Sequence, residues 1–227
     1  MKLLVEYFES ENPIRKSEYL QTLYQNLSND LIERIFIFIS DNVEFKISSP
    51  KITIVREEKR PTYRRFFEFC NENLDGEICI LSNADIVFDD TLRHVSDIDM
   101  NGVFLALTRW ENVVGRGKVP FNNGSSQDSW IFKAPIKTTE DMEFTLGRPG
   151  CDNRIALLMK NCGYMMKNPG NQIVGLHNHT SRYRTYTKAE TVEGPYLGLI
   201  PNGDIKGETQ LYEIDGFDEQ GRPYKRQ

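Results

Sequence analysis

Three short stretches of this sequence carry side chains whose types and spacing could do chemistry together. In the first, Ile78-Cys79-Ile80-Leu81-Ser82 runs into Asn83-Ala84-Asp85. An apolar run ending in an amide and a carboxylate suits a strand whose carboxyl end borders a ligand crevice. Amide and carboxylate oxygens are hard donors for a divalent cation. An ion held there can bridge a diphosphate and stabilise a departing nucleotide. The same residues also suit an Asx turn at a strand end.

The second stretch is Arg148-Pro149-Gly150-Cys151-Asp152-Asn153-Arg154. An acid at a helix entry, behind a glycine, is fixed by local geometry and can take a proton from an acceptor hydroxyl. It equally suits a helix N-cap. Asp128, which precedes a strand in Gln127-Asp128, is a second candidate acid with the same two readings. The third stretch is His177-Asn178-His179, which holds two of the chain's three histidines. Residues two apart in an extended segment face one side. One or both imidazoles could complete a metal site begun by Asp85, or serve as hydrogen-bonded surface groups. Next comes Ser181-Arg182-Tyr183-Arg184-Thr185-Tyr186. Arg182 and Arg184 suit a pyrophosphate. Alternating Arg and Tyr also suits a nucleic-acid strand, and a solvated face accounts for them as well.

These groups need elements to hold them. Lys2 to Phe8 reads as a first buried strand. Asn12-Pro13 then starts a helix carrying Leu20, Leu23, Tyr24 and Leu27 at helical spacing. Ile35 to Ile39 is a continuous β-rich run, as expected of a strand covered on both faces. Lys51 to Val55 and Glu77 to Leu81 are further strands. Pro61 opens a second helix with Tyr63, Phe66, Phe67 and Cys70 on one face. Strands alternating with helices predict a mostly parallel α/β sheet. The second half is less regular. Val103 to Leu107 and Trp130 to Phe132 read as strands, and Asp152 as the cap of a helix carrying Ile155, Leu158, Met159 and Cys162, with Gly163 as its stop. Met165-Met166 and Phe66-Phe67 read as core.

The 227 residues suit one large domain. The expected division is a catalytic part over 1–190 and an extension over 191–227 packed on it. No stretch approaches the roughly 20 apolar residues of a membrane span, so no integral membrane contact is expected. Four cysteines lack Cys-x-x-Cys spacing, and cytoplasmic free thiols are their simplest account. The net charge of −5 lacks the basic excess usual in a nonspecific nucleic-acid binder.

Over roughly residues 1 to 186 the chain resembles glycosyltransferases of the glycosyltransferase-A (GT-A) fold. The carrying stretches are Arg60-Pro61-Thr62-Tyr63, Leu81 to Ile86, Leu107-Thr108-Arg109-Trp110, Ser126 to Phe132, Pro149 to Arg154 and His177-Asn178-His179. Their order carries much of the resemblance: a strand-terminal acid, an acid at a helix entry, then a late histidine. It implies a Rossmann-like, mainly parallel sheet with helices on both faces and an irregular C-terminal half. It implies hexosyl or pentosyl transfer from a nucleoside diphosphate sugar to an acceptor glycan or small molecule. Mn2+ or Mg2+ would be held by Asp85 with His177 or His179. Asn83 stands where such enzymes carry the first acid of Asp-x-Asp, which lowers the expected metal affinity. Asp152, and after it Asp128, match the catalytic acid. Tyr7, Arg60, Tyr63, Asn83, Ala84 and Asp85 fall at donor-binding positions, with Arg182 and Arg184 near the diphosphate. Two rival readings stand beside this one: a DNA-modifying glycosyltransferase acting on a hydroxylated base, and a nucleotide- or sugar-binding module without catalysis.

Overall fold

The computed structural model describes residues 1–40, 43–181, 183, 187–218 and 223–224. The chain opens with strand β1 (Lys2–Glu6), helix α1 (Pro13–Leu27), and strands β2 (Arg34–Ile39) and β3 (Ile52–Arg56). Asn12 caps α1, accepting from the N–H groups of Ile14 and Arg15 at 3.0 and 3.2 Å, with Pro13 in the first turn. That is the start the sequence predicts. Helix α2 (Tyr63–Asn73) follows. It begins two residues after Pro61, because the side chain of Thr62 is its cap and accepts from Arg65 N–H at 3.2 Å. Strands β4 (Ile78–Ser82), β5 (Ile86–Phe88), β6 (Val103–Leu107), β7 (Trp110–Val113), β8 (Gly117–Pro120) and β9 (Ser129–Lys133) come next. After them lie helix α3 (Cys151–Asn161) and strands β10 (Met165–Lys167), β11 (Gly175–His177), β12 (Tyr196–Leu199) and β13 (Leu211–Ile214).

Seven strands form the main sheet in the order β10-β6-β9-β4-β1-β2-β3. All its pairings are parallel except the two that β9 makes. The architecture is therefore α/β with a mainly parallel sheet, as the alternating pattern predicts. The period-2 alternation of the strands divides the core in two. Leu4, Phe36, Phe38, Cys79, Leu81, Phe104, Trp130 and Phe132 face α2 and α3. Leu3, Val5, Ile35, Ile37, Ile39, Ile80, Leu105 and Ile131 face α1. Helices thus cover both faces, and a strand such as Ile35–Ile39 must be apolar throughout. Phe66 and Phe67 are core. Of the methionine pair, only Met166 is; Met165 points outward at the sheet's edge strand and is 60% exposed.

A second sheet, in the order β5-β11-β7-β8, stands at the carboxyl ends of the parallel strands. The tail adds the antiparallel pair β12–β13. Leu197 and Leu199 of β12 join the α3 side of the core, and Asn153 in α3 donates to Leu197 O at 3.0 Å. Among the described residues, no helix is long and apolar enough to cross a membrane.

Helix α1 departs from its expected face. Its buried residues are Arg15, Glu18, Tyr19, Thr22, Leu23 and Asn26, whereas Tyr24 is 56% exposed. The inward stripe is polar because it meets backbone and charge. Asn26 donates to Ile86 O at 2.9 Å and accepts from Phe88 N–H at 2.9 Å, satisfying an edge of β5 that would otherwise be orphaned.

Candidate functional site

The parallel strands deliver their carboxyl ends to one edge of the main sheet, and the reversal of β9 brings its amino end there too. Ser129 of β9 pairs with Ser82 of β4 and with Leu107 of β6. Asn83 to Asp85, Thr108-Arg109 and Asp128 therefore share an edge by strand register alone.

Asp85 lies between β4 and β5 and is buried. The ladder of the second sheet explains its neighbours. His177 is paired with Ile86 on one side and Glu111 on the other, and Asn178 N–H donates to Asp85 O at 2.8 Å. His177 Nε2 stands 3.2 Å from Asp85 Oδ2, and His179 Nδ1 3.9 Å from the same atom. Arg15 Nη2 donates to Oδ2 at 2.6 Å. Asp85 Oδ1 is buried without a hydrogen-bond partner. Burial alone would raise the Asp85 carboxyl; His177 and Arg15 overcome it and hold the group well below the usual carboxylate range.

One ligand atom each from Asp85, His177 and His179 lie within 4.8 Å of one another. Metal–ligand bonds of about 2.0–2.2 Å are compatible with that grouping. The outer nitrogens of the two rings are held as metal-binding histidines usually are. Glu111 Oε1 is 3.5 Å from His177 Nδ1, and Tyr183 O is 3.1 Å from His179 Nε2. A carboxylate with one unsatisfied oxygen, grouped with two oriented imidazoles, fits a divalent cation. Burial disfavours charge on His177, but Asp85 and Glu111 outweigh it and raise its pKa to about 9. Burial and then Arg15 push His179 the other way.

The acid at α3 sits differently from its expected place. Gly150, at φ 78°, is the N-cap; only glycine takes that left-handed turn at little cost. Asp152 is thus the second residue of the helix, not its cap. Its Oδ2 accepts Gln127 N–H at 3.0 Å and its Oδ1 accepts its neighbour Asn153 N–H at 3.0 Å. Burial is the largest influence on its carboxyl and raises it to about 7; the two N–H groups oppose the rise and the Asp128 charge adds to it. Asp128 is locked: Asn83 Nδ2 donates to Oδ1 and Arg109 Nη1 to Oδ2, both at 3.0 Å. Arg109 also bonds Glu111 at 2.6 Å. One charged chain, Asp85–His177–Glu111–Arg109–Asp128, therefore connects the metal-type cluster to the residue next to Gln127, which holds Asp152.

The remaining predicted residues fall in several places. Tyr7 follows β1 and is nearly buried, edge-on to Phe45. Arg60 grips Glu6 at the end of β1 through Nε and Nη2, both at 2.7 Å, with its side chain 47% exposed. Ala84 and Asn83 are half-buried. Tyr63 is fully buried, its ring against Trp130 and Phe144 and its hydroxyl 3.7 Å from Cys151 Sγ. It is a core residue there and reaches no open surface. Arg182 and Arg184 lie outside the described residues. Sequence reasoning missed Arg15, Glu18 and Glu111. The signal for the first two was available: charges three apart on the face of α1 that also carries Tyr19 and Thr22.

The fold and site define a class of architecture: a mainly parallel α/β sheet with a cluster of polar and charged side chains at the strand ends. No protein-family model matches the chain, and no curated protein matches it. Among solved structures, it is similar to a mannosyltransferase from Pyrobaculum calidifontis in complex with GDP-Man and Mn2+. That match has 16% identity and a TM-score of 0.47, over 80% of this chain and 57% of the other. It is similar to S. aureus TarS 1-349 in complex with UDP-GlcNAc at 11% identity and a TM-score of 0.49, over 82% and 61%. A cytidylyltransferase from Francisella tularensis matches at 14% identity and a TM-score of 0.35, over 59% and 70%. The chain thus spans about three fifths of the length of the first two. At these values, function rests on the site's own residues.

Proposed function

We propose that this chain is a GT-A-like glycosyltransferase that moves a sugar from a nucleoside diphosphate sugar to an acceptor hydroxyl. The observation that carries the reading is the presence near the strand ends of two carboxylates in opposite environments. Asp85 is locked as an anion beside two imidazoles, and Asp152 is raised to about 7. An acid near neutrality is suited to take and return a proton at working pH. The four free cysteines fit a cytoplasmic setting.

In this reading the donor lies across the carboxyl ends of β1 and β4, near Tyr7, Arg60, Asn83 and Ala84. Asp85, His177 and His179 would hold a divalent cation; the two nitrogen donors favour Mn2+ over Mg2+, which prefers an all-oxygen shell. When bound, the ion supplies positive charge to the departing diphosphate. Asp152 accepts the acceptor hydroxyl's proton as that oxygen forms a bond to the anomeric carbon. The bond from that carbon to the diphosphate breaks, and the nucleotide leaves with the electron pair. Asp128, clamped by Asn83 and Arg109, holds the Gln127 backbone that orients Asp152.

The test is a thermal-shift panel of nucleoside diphosphate sugars with and without Mn2+, followed by donor turnover. A ligand that binds only the folded state raises the melting temperature. One donor should stabilise the protein more with Mn2+ and be consumed slowly by water or faster with an acceptor. A donor that stabilises but is never consumed would make the chain a binding module. No stabilisation by any donor would remove the reading.

A further inference from the structure

Asp85 meets Arg15 through a single nitrogen, although guanidinium and carboxylate favour a two-pronged contact. The reason lies one turn along α1. Arg15 gives its other terminal nitrogen, Nη1, to Glu18 Oε2 at 3.0 Å, while its plane lies over the Tyr19 ring at 4.4 Å. The guanidinium is therefore shared between two buried carboxylates, and Asp85 Oδ1 is left open.

Glu18 does a second thing. It accepts the N–H groups of Thr180 and Ser181, both at 2.6 Å, and their hydroxyls, both at 2.9 Å. Its own backbone carbonyl accepts Asn178 Nδ2 at 3.1 Å. His179 is flanked by residues fastened to α1 on both sides, in a stretch with no ladder of its own beyond His177. Four donors and a guanidinium on one carboxylate 3% exposed are far more than a helix needs for its own stability.

We propose that Glu18 is a positioning residue for a divalent-cation site at Asp85, His177 and His179. It keeps Arg15 from closing over the second oxygen of Asp85 and fixes the segment that presents His179. The inference rests on the cation reading above and adds residues outside the ligand set to it. Asn26 provides an internal control, because it ties the same helix to β5 through two backbone bonds and touches none of the three ligands.

The experiment is Mn2+ titration of the purified protein, with free ion followed by electron paramagnetic resonance and melting temperature recorded in parallel. Wild type retains Mn2+. Glu18→Gln, which cannot accept all these donors, weakens retention by about 10- to 100-fold, the size of other supporting-shell losses. Asn26→Ala lowers the melting temperature while its Mn2+ affinity stays within about twofold of wild type, by the same comparison. Should Glu18→Gln fail to fold, Ser181→Ala removes one hydroxyl donor and carries the test with a smaller loss of the same sign. Unchanged affinity in the Glu18 or Ser181 variant overturns the proposal while leaving the cation site standing. An equal loss in Asn26→Ala overturns it as a mere consequence of stability. A wild type that holds no Mn2+ overturns the cation reading and this proposal together.

Discussion

Asp85, buried, and Asp152, half-buried, stand near the same edge of one sheet, yet their environments drive them apart. Asp85 is surrounded by a guanidinium and an imidazolium, which hold it ionised despite burial. Asp152 has two backbone N–H groups and a like-charged neighbour, and burial prevails, up to about 7. Pairs of acids separated in this way divide labour: one stays charged and the other exchanges a proton. What decides the division is the nature of the partners. Side-chain cations compensate a buried charge more fully than two dipoles do.

Breaking the charged side should have the larger effect. Asp85→Asn leaves Arg15 and His177 facing a neutral amide, and disrupting a buried ion pair costs about 3–5 kcal/mol. Melting temperature should drop, and turnover should fall to the level that wild type shows in excess chelator. Unchanged metal-stimulated turnover would separate Asp85 from the ion altogether.

Asp152→Asn addresses the other side. Turnover should fall by about 10²–10⁴-fold, with a stability loss of about 1–3 kcal/mol at low pH because the amide can accept only one of the two backbone N–H groups. The folded pKa is raised above the unfolded value, so the folded state favours the proton. Asp152's contribution is complete below the ordinary carboxylate range and is lost as pH rises through about 7. The variant's melting temperature should therefore gain on wild type as pH rises from the ordinary carboxylate range to about 7 and keep that gain above it, and the rising limb of kcat/KM near pH 7 should vanish. A variant with full turnover would return the residue to a structural role in the first turn of α3.

Asp128→Asn should sharpen the contrast with a milder change. It removes the charge that helps raise Asp152, so the kcat/KM limb should move to lower pH while turnover falls about tenfold, an oriented-group loss. A limb that stays in place would mean that burial alone sets Asp152. The smallest effect belongs to Tyr63→Phe. A hydroxyl facing only Cys151 in the core offers nothing to a donor, so donor KM should be unchanged. A raised KM would instead favour the donor contact that the resemblance implies.

Much of the first half was legible because its strands and helices follow periods that burial enforces. Ile35–Ile39 could be read as a central strand since both its faces are covered. The reversed β9 could not, because an apolar run such as Trp130–Phe132 carries no mark of direction. The second sheet was hidden by its three- and four-residue strands, too short to show a period. At the site, Asp85 and the two histidines stood out by residue type, whereas Gly150 took the cap position that Asp152 was expected to fill. Arg15 and Glu18 were passed over because apolar spacing was sought in α1, while its inner face is polar.

The separations along the chain give the cluster a place in time. Strands β1 to β4 are contributed by residues 2–82, but Asp85 meets His177 across 92 residues and Glu18 meets Ser181 across 163. Closing such long loops costs entropy before any contact rewards it. The Asp85–His177–His179 cluster should therefore be the last part of the molecule to assemble. In pulse-labelled refolding, the Thr180 and Ser181 amides should gain protection after those of β1 and β2, and a chain stalled late would be nearly complete yet unable to hold an ion.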